Sequence, residues 1–186
     1  GQSGGSLLAF AYAYDPVGGT FTKVLEFPLN YNRGCGFADA STCYGAAKWN
    51  AWVTSYPASP AMYANFASND EIGHPQPIFA DIEFDANGNM IIGMRDRWGE
   101  QGGYNALNEP SKTVLSSHDA FGDILKATPS GGGWTVNIAD HTDNTLSTGS
   151  SVSAEASFPA DNYLAGGYLH EETTMGGLAL LLNANE

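Results

Sequence analysis

The stretch DIEFDANGNMIIGMRDRW, Asp81 to Trp98, constrains the fold more than any other part of the chain. Asn87-Gly88 tolerates the positive φ angles that a tight antiparallel turn demands, so it is the strongest local signal for a β-hairpin. The flanking segments, 78–84 and 89–97, are the predicted strands. Asp81, Glu83 and Asp85 alternate on the first strand and therefore share one face, with Ile82 and Phe84 on the other. On the returning strand Arg95 and Arg97 share a face, and Asp96 lies with Met94 and Trp98.

Two more hairpins follow from the same logic. LLAFAYAY at 7–14 carries aromatics at alternate positions (Phe10, Tyr12, Tyr14), DPVGGT is turn chemistry, and FTKVLEF at 21–27 alternates apolar and polar. AFGDILKAT at 120–128 and GWTVNIAD at 133–140 flank the turn sequence PSGGG. No helix beyond about two turns is predicted; AAKWNAWV suits one short helical turn. Glycine is abundant at 23 residues and charged residues are only 15%, which suits short strands joined by tight turns.

Residues 28–77 read as a long irregular insertion. The segment holds Pro28, Pro57, Pro60, Pro75 and Pro77, and its Trp49, Trp52, Tyr56, Tyr63 and Phe66 call for burial. The hairpin centres near 87 and 131 are about 44 residues apart, close to one propeller blade. The expected fold is therefore all-β, with antiparallel hairpins in a β-propeller-like arrangement. Residues 1–186 would be a single domain or a segment of a larger propeller-like protein.

Net charge is −13 with only seven Lys and Arg, so no basic stripe is available for nucleic acid or for an anionic membrane surface. No apolar run approaches the ~20 residues of a membrane-spanning helix, and no membrane insertion is expected. The acidity suits a soluble secreted chain. The start, GQSGGS, lacks the features of a secretion signal, so the chain reads as a processed form or as a piece of a longer one. Cys35 and Cys43 bracket the loop CGFADASTC and would close a small disulfide ring, which places the chain in an oxidising, extracellular setting.

Two chemistries compete at the central hairpin. Asp81, Glu83 and Asp85 opposite Arg95 and Arg97 would form a cross-strand ladder of ion pairs that knits the sheet. Alternatively, Asp81, Glu83 and Asp96 would act as the acid and base of glycoside hydrolysis, beside a sugar-stacking platform of Tyr31, Tyr44, Trp49 and Trp52. The structural reading is the preferred one. No metal centre is expected: His74, His118, His141 and His170 are scattered, and HEE at 170–172 lacks a second zinc-binding histidine. The oxygen-rich DANGN (85–89) and DHTDN (140–144) are read as turns held by side-chain hydrogen bonds, with Ca²⁺ ligation the lesser alternative and no other cofactor.

The segments FPLNYNRG (27–34), Asp81 to Gly102, GDILKA (122–127) and His170 to Ala179 occur in an order that resembles a known group. They look like the propeller-like region of large bacterial secreted or surface proteins that carry adhesin-type B repeats. The resemblance spans roughly residues 10–180. It implies an extracellular or cell-surface location and a propeller-like architecture, and it brings no residue role with it.

Leu178-Ala179-Leu180-Leu181-Leu182 is apolar at almost every position, as in a strand buried on both faces, yet no partner strand follows it. An edge of this kind invites pairing with another chain. The expected function is therefore a non-enzymatic extracellular structural or adhesive module of a bacterial surface or filament protein. It would self-associate, or pair with neighbouring domains of the same protein, through its edge strands. The alternative is a secreted protein that binds or hydrolyses glycans.

Overall fold

A computed structural model of the chain describes residues 7–31, 33, 35–38, 43–46, 48–52, 61–66, 69–107, 115–118, 120–141, 163–165, 168–170 and 176–179. The fold is all-β. Among the described residues helix is limited to α1 (Arg97–Gly102) and one 3-10 turn (Ile138–His141), and the strands form four open sheets.

The first hairpin joins β1 (Leu8–Asp15) to β2 (Thr20–Pro28), paired from Leu8↔Pro28 to Asp15↔Thr20 with a register shift between Ala11 and Tyr12 that leaves Val24 over. Asp15 closes the turn: its carboxylate accepts from the Val17 amide at 2.9 Å, and its carbonyl accepts from Gly19 at 2.8 Å. Gly19 sits at φ 65°, where a side chain would be strained. Alternation then sorts the faces. Ala9, Ala11, Leu25 and Phe27 are buried, whereas Leu8, Phe10, Tyr12 and Tyr14 face outward.

β3 (Cys35–Ala38), β4 (Cys43–Ala46), β5 (Ala61–Phe66) and β6 (Asn69–Gly73) all lie in the 28–77 stretch. The expected irregular insertion is thus strand-bearing. Its short, glycine- and alanine-rich strands lack the clean alternation that would have marked them, and residues 48–52 form no helical turn.

The central hairpin pairs β7 (Pro77–Phe84) with β8 (Met90–Asp96). Gly88 adopts φ 78°, and the Asp85 carboxylate accepts from the Asn87 amide, the Asn89 amide and the Asn89 side chain at 2.7–2.9 Å. Beyond α1 come β9 (Ala106–Leu107) and β10 (Leu115–His118), then β11 (Asp123–Ser130), β12 (Gly133–Val136), β13 (Tyr163–Ala165) and β14 (Tyr168–His170). β5, β6, β10 and β9 make one sheet, in which β10 runs parallel to β6. β13, β14, β3 and β4 make another.

The second and third predicted hairpins are not separate blades. β8 and β11 pair antiparallel, so the two hairpins fuse into one sheet of order β12-β11-β8-β7. The 44-residue spacing therefore reflects one sheet interrupted by a long excursion, and the described sheets are open and form no propeller. β8 is the buried middle of that sheet, with Met90, Ile91, Ile92 and Met94 all enclosed.

One core serves all three hairpins. Leu25 and Phe27 of β2 pack with Met90, Ile92 and Met94 of β8, with Leu125 and Ala127 of β11, and with Val136 of β12. β12 meets β2 closely at Gly133, where a methyl group would overlap the Val24 carbonyl. The strands follow one another round the core as β1, β2, β12, β11, β8 and β7, and among the described residues no strand bridges β1 and β7.

Candidate functional site

The opening between β1 and β7 is an apolar groove with two connected sections. One, about 380 Å³, is bounded by Leu8, Phe10 and Leu29 on one side and by Trp52, Pro77 and Phe79 on the other. The second, about 440 Å³, runs on between Phe10, Ala11 and Tyr12 of β1 and Phe79 to Ile82 of β7. Among the described residues β1 pairs only with β2 and β7 only with β8, so each strand turns an unpaired backbone edge to the groove.

β7 owes its shape to a bulge. Phe79 pairs with Met94 and Asp81 with Gly93, which leaves Ala80 over. The bulge keeps Ile82 and Phe84 on the core side, in register with Ile92 and Met90, yet the missing neighbour leaves them 37% and 47% exposed. The Phe84 ring stacks on Trp134 with centroids 5.3 Å apart, and the Trp134 indole donates to the Gly88 carbonyl at 2.9 Å. The far end of β7 is thereby pinned to β12.

Asp81 borders the groove and binds chain instead of cation. Its carboxylate accepts from the Ile82 amide at 2.9 Å and from the Leu178 amide at 3.0 Å. Gly176, at φ 73°, lies against Gly93, Ala80 and Arg95; a methyl on Gly93 would overlap the Gly176 carbonyl oxygen. Leu178 is thus held at β7, Ala179 is exposed, and Leu180, Leu181 and Leu182 of the apolar segment 178–182 lie outside the described residues.

Charge pairing at the hairpin differs from the ladder expected of it. The register sets Asp81 opposite Gly93, Glu83 opposite Ile91, Arg95 opposite Ile78 and Asp96 opposite Pro77, so the acids and arginines are offset along the strands. Arg95 instead bonds Glu100 of α1, at 2.7 Å through Nε and again through Nη2. Arg97 donates to the Gln76 side chain at 2.6 Å and lies over Trp52, whose indole donates to the Pro77 carbonyl at 2.7 Å. Asp85 is taken up by its own turn.

The alternative acid–base set is not gathered either. Asp96 lies on the core face with Met94, opposite to the face of Asp81. It is fully buried and caps α1, accepting from Trp98 at 2.9 Å, from Gln76 at 2.8 Å and from Phe121 at 3.3 Å. Burial pushes its pKa up against the pull of those amides. Tyr31 and Trp49 are core residues and cannot stack on a sugar. The side chains of Tyr44, Cys35 and Cys43 lie outside the described residues. The backbone register pairs Cys35 with Ala46 and Cys43 with Ala38. That offset, about 10 Å along the strands at ~3.3 Å per residue, exceeds the ~7 Å Cα reach of a disulfide, so the register gives no support to the ring.

Sequence reasoning missed a buried polar cluster around Arg33 and Asp123. Arg33 is fully enclosed, its guanidinium 3.7 Å above the Trp49 ring, and it donates to the Gly122 carbonyl at 2.7 Å. The Tyr31 hydroxyl bonds the buried Asp123 carboxylate and accepts from the Trp49 indole at 3.3 Å. Burial, then the Asp123 charge, drives the Tyr31 pKa well above its usual value. The cluster joins the segments FPLNYNRG and GDILKA, each of which supplies one of its two buried charges, Arg33 and Asp123. A second ring stack sets Trp98 between His74, at 6.0 Å, and His118, at 4.6 Å. Among the described residues no three His, Cys, Asp or Glu side chains converge as a metal site, and no helix is long and apolar enough to cross a membrane.

Comparison with known proteins places the chain near two proteins of Dictyostelium discoideum. It is 38% identical to Colossin-A over 96 residues, which is 52% of this chain and 1% of that protein. It is 28% identical to Colossin-C over 100 residues, 54% of this chain and 8% of that protein. The chain therefore corresponds to a small fraction of the length of these relatives. No family model matches it, and no solved structure matches it significantly. The resemblance to bacterial surface proteins with adhesin-type B repeats is thereby corrected: the matched relatives are eukaryotic.

Proposed function

We propose that this chain is a non-enzymatic, extracellular structural module that assembles by pairing its strand edges with neighbouring copies or domains. The observation that carries the reading is the groove between β1 and β7, where two backbone edges without a partner among the described residues flank exposed apolar side chains. Natural sheets blunt their edges with charge, proline or cover. Here the groove walls are Phe10, Tyr12, Phe79 and Ile82, with Asp81 the charged residue at the rim. The likeness to short stretches of far longer proteins agrees with a module that has neighbours in the same chain.

The partners of two carboxylates favour this reading over acid–base chemistry. Asp81 is engaged by two amides and Asp96 by a helix cap on the opposite face. The test is the solution mass of the chain by light scattering as concentration rises, beside a Phe10→Lys/Ile82→Lys variant. The native chain is expected to gain mass with concentration, and the variant to remain monomeric while keeping its β-sheet circular dichroism. A native chain monomeric throughout contradicts the reading.

A further inference from the structure

The groove between β1 and β7 has a direction. Its first section lies between Leu8 to Phe10 of β1 and Pro77 to Phe79 of β7, and its second between Phe10 to Tyr12 and Phe79 to Ile82. Both strands therefore advance along it the same way, from Trp52 toward Asp81. The two ends carry opposite charge. At the first, Trp52 forms part of the wall and the Arg97 guanidinium lies over its ring, 5.1 Å from the centroid. Arg97 donates to the neutral Gln76 side chain, and among the described residues no carboxylate pairs with it, although the chain has 20 Asp and Glu against seven Lys and Arg. At the second end the wall includes Asp81. Main-chain groups at both ends are already taken. The Pro77 carbonyl accepts from the Trp52 indole at 2.7 Å, and the Ile82 amide donates to Asp81 at 2.9 Å. The stretch left for a guest lies between them.

We infer that the groove takes an extended peptide segment of a neighbour, running antiparallel to both β1 and β7, with apolar side chains toward the core and a carboxylate at its C-terminal end. The inference rests on the reading of β1 and β7 as strand-accepting edges, and it names what they accept. Two facing strand edges present N–H and C=O groups that another backbone matches along its length, which favours a peptide over a lipid or other apolar molecule. The charges set the direction. An antiparallel guest brings its C-terminal end to Arg97 and its N-terminal end to Asp81, whereas a parallel guest brings each end to a charge of its own sign. Antiparallel pairing is also slightly the more stable per residue. Leu8, Phe10, Phe79 and Ile82 in the walls select apolar side chains, and the planar guanidinium selects a carboxylate.

The test titrates the full chain into two peptides of one composition, Lys-Val-Thr-Val-Thr-Val-Glu and Glu-Val-Thr-Val-Thr-Val-Lys, each with a neutral dansyl group at the N-terminus and an amide at the C-terminus. Binding is read as dansyl anisotropy. The peptide ending in Glu should bind about tenfold more tightly at low ionic strength, with the difference shrinking as salt is added. Methylating alternate backbone nitrogens of that peptide should abolish its binding, because a strand edge then has no N–H to receive. Arg97→Glu should invert the order of the two peptides, and the comparison on the native chain stands whether or not that variant folds. Equal affinity for the two peptides, binding that survives backbone methylation, or no binding of either overturns the inference. Light scattering on the same chain separates this outcome from the assembly reading. A strict monomer that discriminates the peptides upholds the directed groove and contradicts assembly of copies, and an assembling chain that binds both peptides equally does the reverse.

Discussion

Asp81 decides where the chain leaves the sheet. Its carboxylate gathers one amide from its own strand and one from Leu178, and half-burial makes both bonds count. Asp81→Ala should cost about 1–2 kcal/mol, as for a charge-assisted hydrogen bond, and Asp81→Asn less, both read from urea unfolding. Gly176→Ala should cost at least about 1–2 kcal/mol for the left-handed backbone alone, and it also drives a methyl into Arg95. Deeper in, Arg33→Ala removes a fully buried cation from the Trp49 face and from the Gly122 carbonyl. A loss of about 3–5 kcal/mol is expected, measured the same way. His74 and His118 supply a pH dependence. Burial lowers both pKa values from the usual 6.5, so the folded chain binds fewer protons than the unfolded one. Their contribution is complete above about pH 6.5 and is lost as pH falls through the lowered values. The urea midpoint of the native chain should therefore drop from pH 7.5 to 5.5 more steeply than that of a His74→Gln/His118→Gln variant. Parallel curves would contradict this account of the Trp98 stack.

At the scale of elements, the central hairpin is the organiser. Ile92 is fully buried in β8 and contacts the shared core, so Ile92→Ala should cost about 2–5 kcal/mol, seen as a shifted thermal midpoint. The three hairpins were legible because each turn carries its own chemistry: Asp15 and Gly19, Asn87-Gly88, and Gly131-Gly132, the last two glycines at φ 57° and 85°. Their joining was not legible. The β8–β11 ladder depends on residues far apart in sequence, and no local pattern specifies it. The ion-pair ladder failed for a related reason. Face alternation was read from the sequence, but the register and the bulge at Ala80 offset the charges, and α1 placed Glu100 beside Arg95. The strands of 28–77 escaped notice because their alanines and glycines carry little periodic signal. Of the groove, Phe10, Tyr12 and Ile82 were visible as strand residues, and only the fold brings them to facing edges.

At the scale of the molecule, β1 and β7 stand at the two ends of one wall of strands, and among the described residues no strand joins them. The proposed role depends on that opening, as the place where a neighbouring strand would pair. The likeness to limited stretches of Colossin-A and Colossin-C fits a unit that works beside others. The most direct measurement is residue-resolved amide exchange along β1 and β7 in the full chain, with β8 and β11 as internal standards. The account predicts that alternate amides of Leu8–Asp15 and Pro77–Phe84, those not bonded to β2 or β8, exchange as slowly as amides within β8. Exchange of those amides at the rate of an unstructured peptide would show bare edges that accept no strand, and would contradict it.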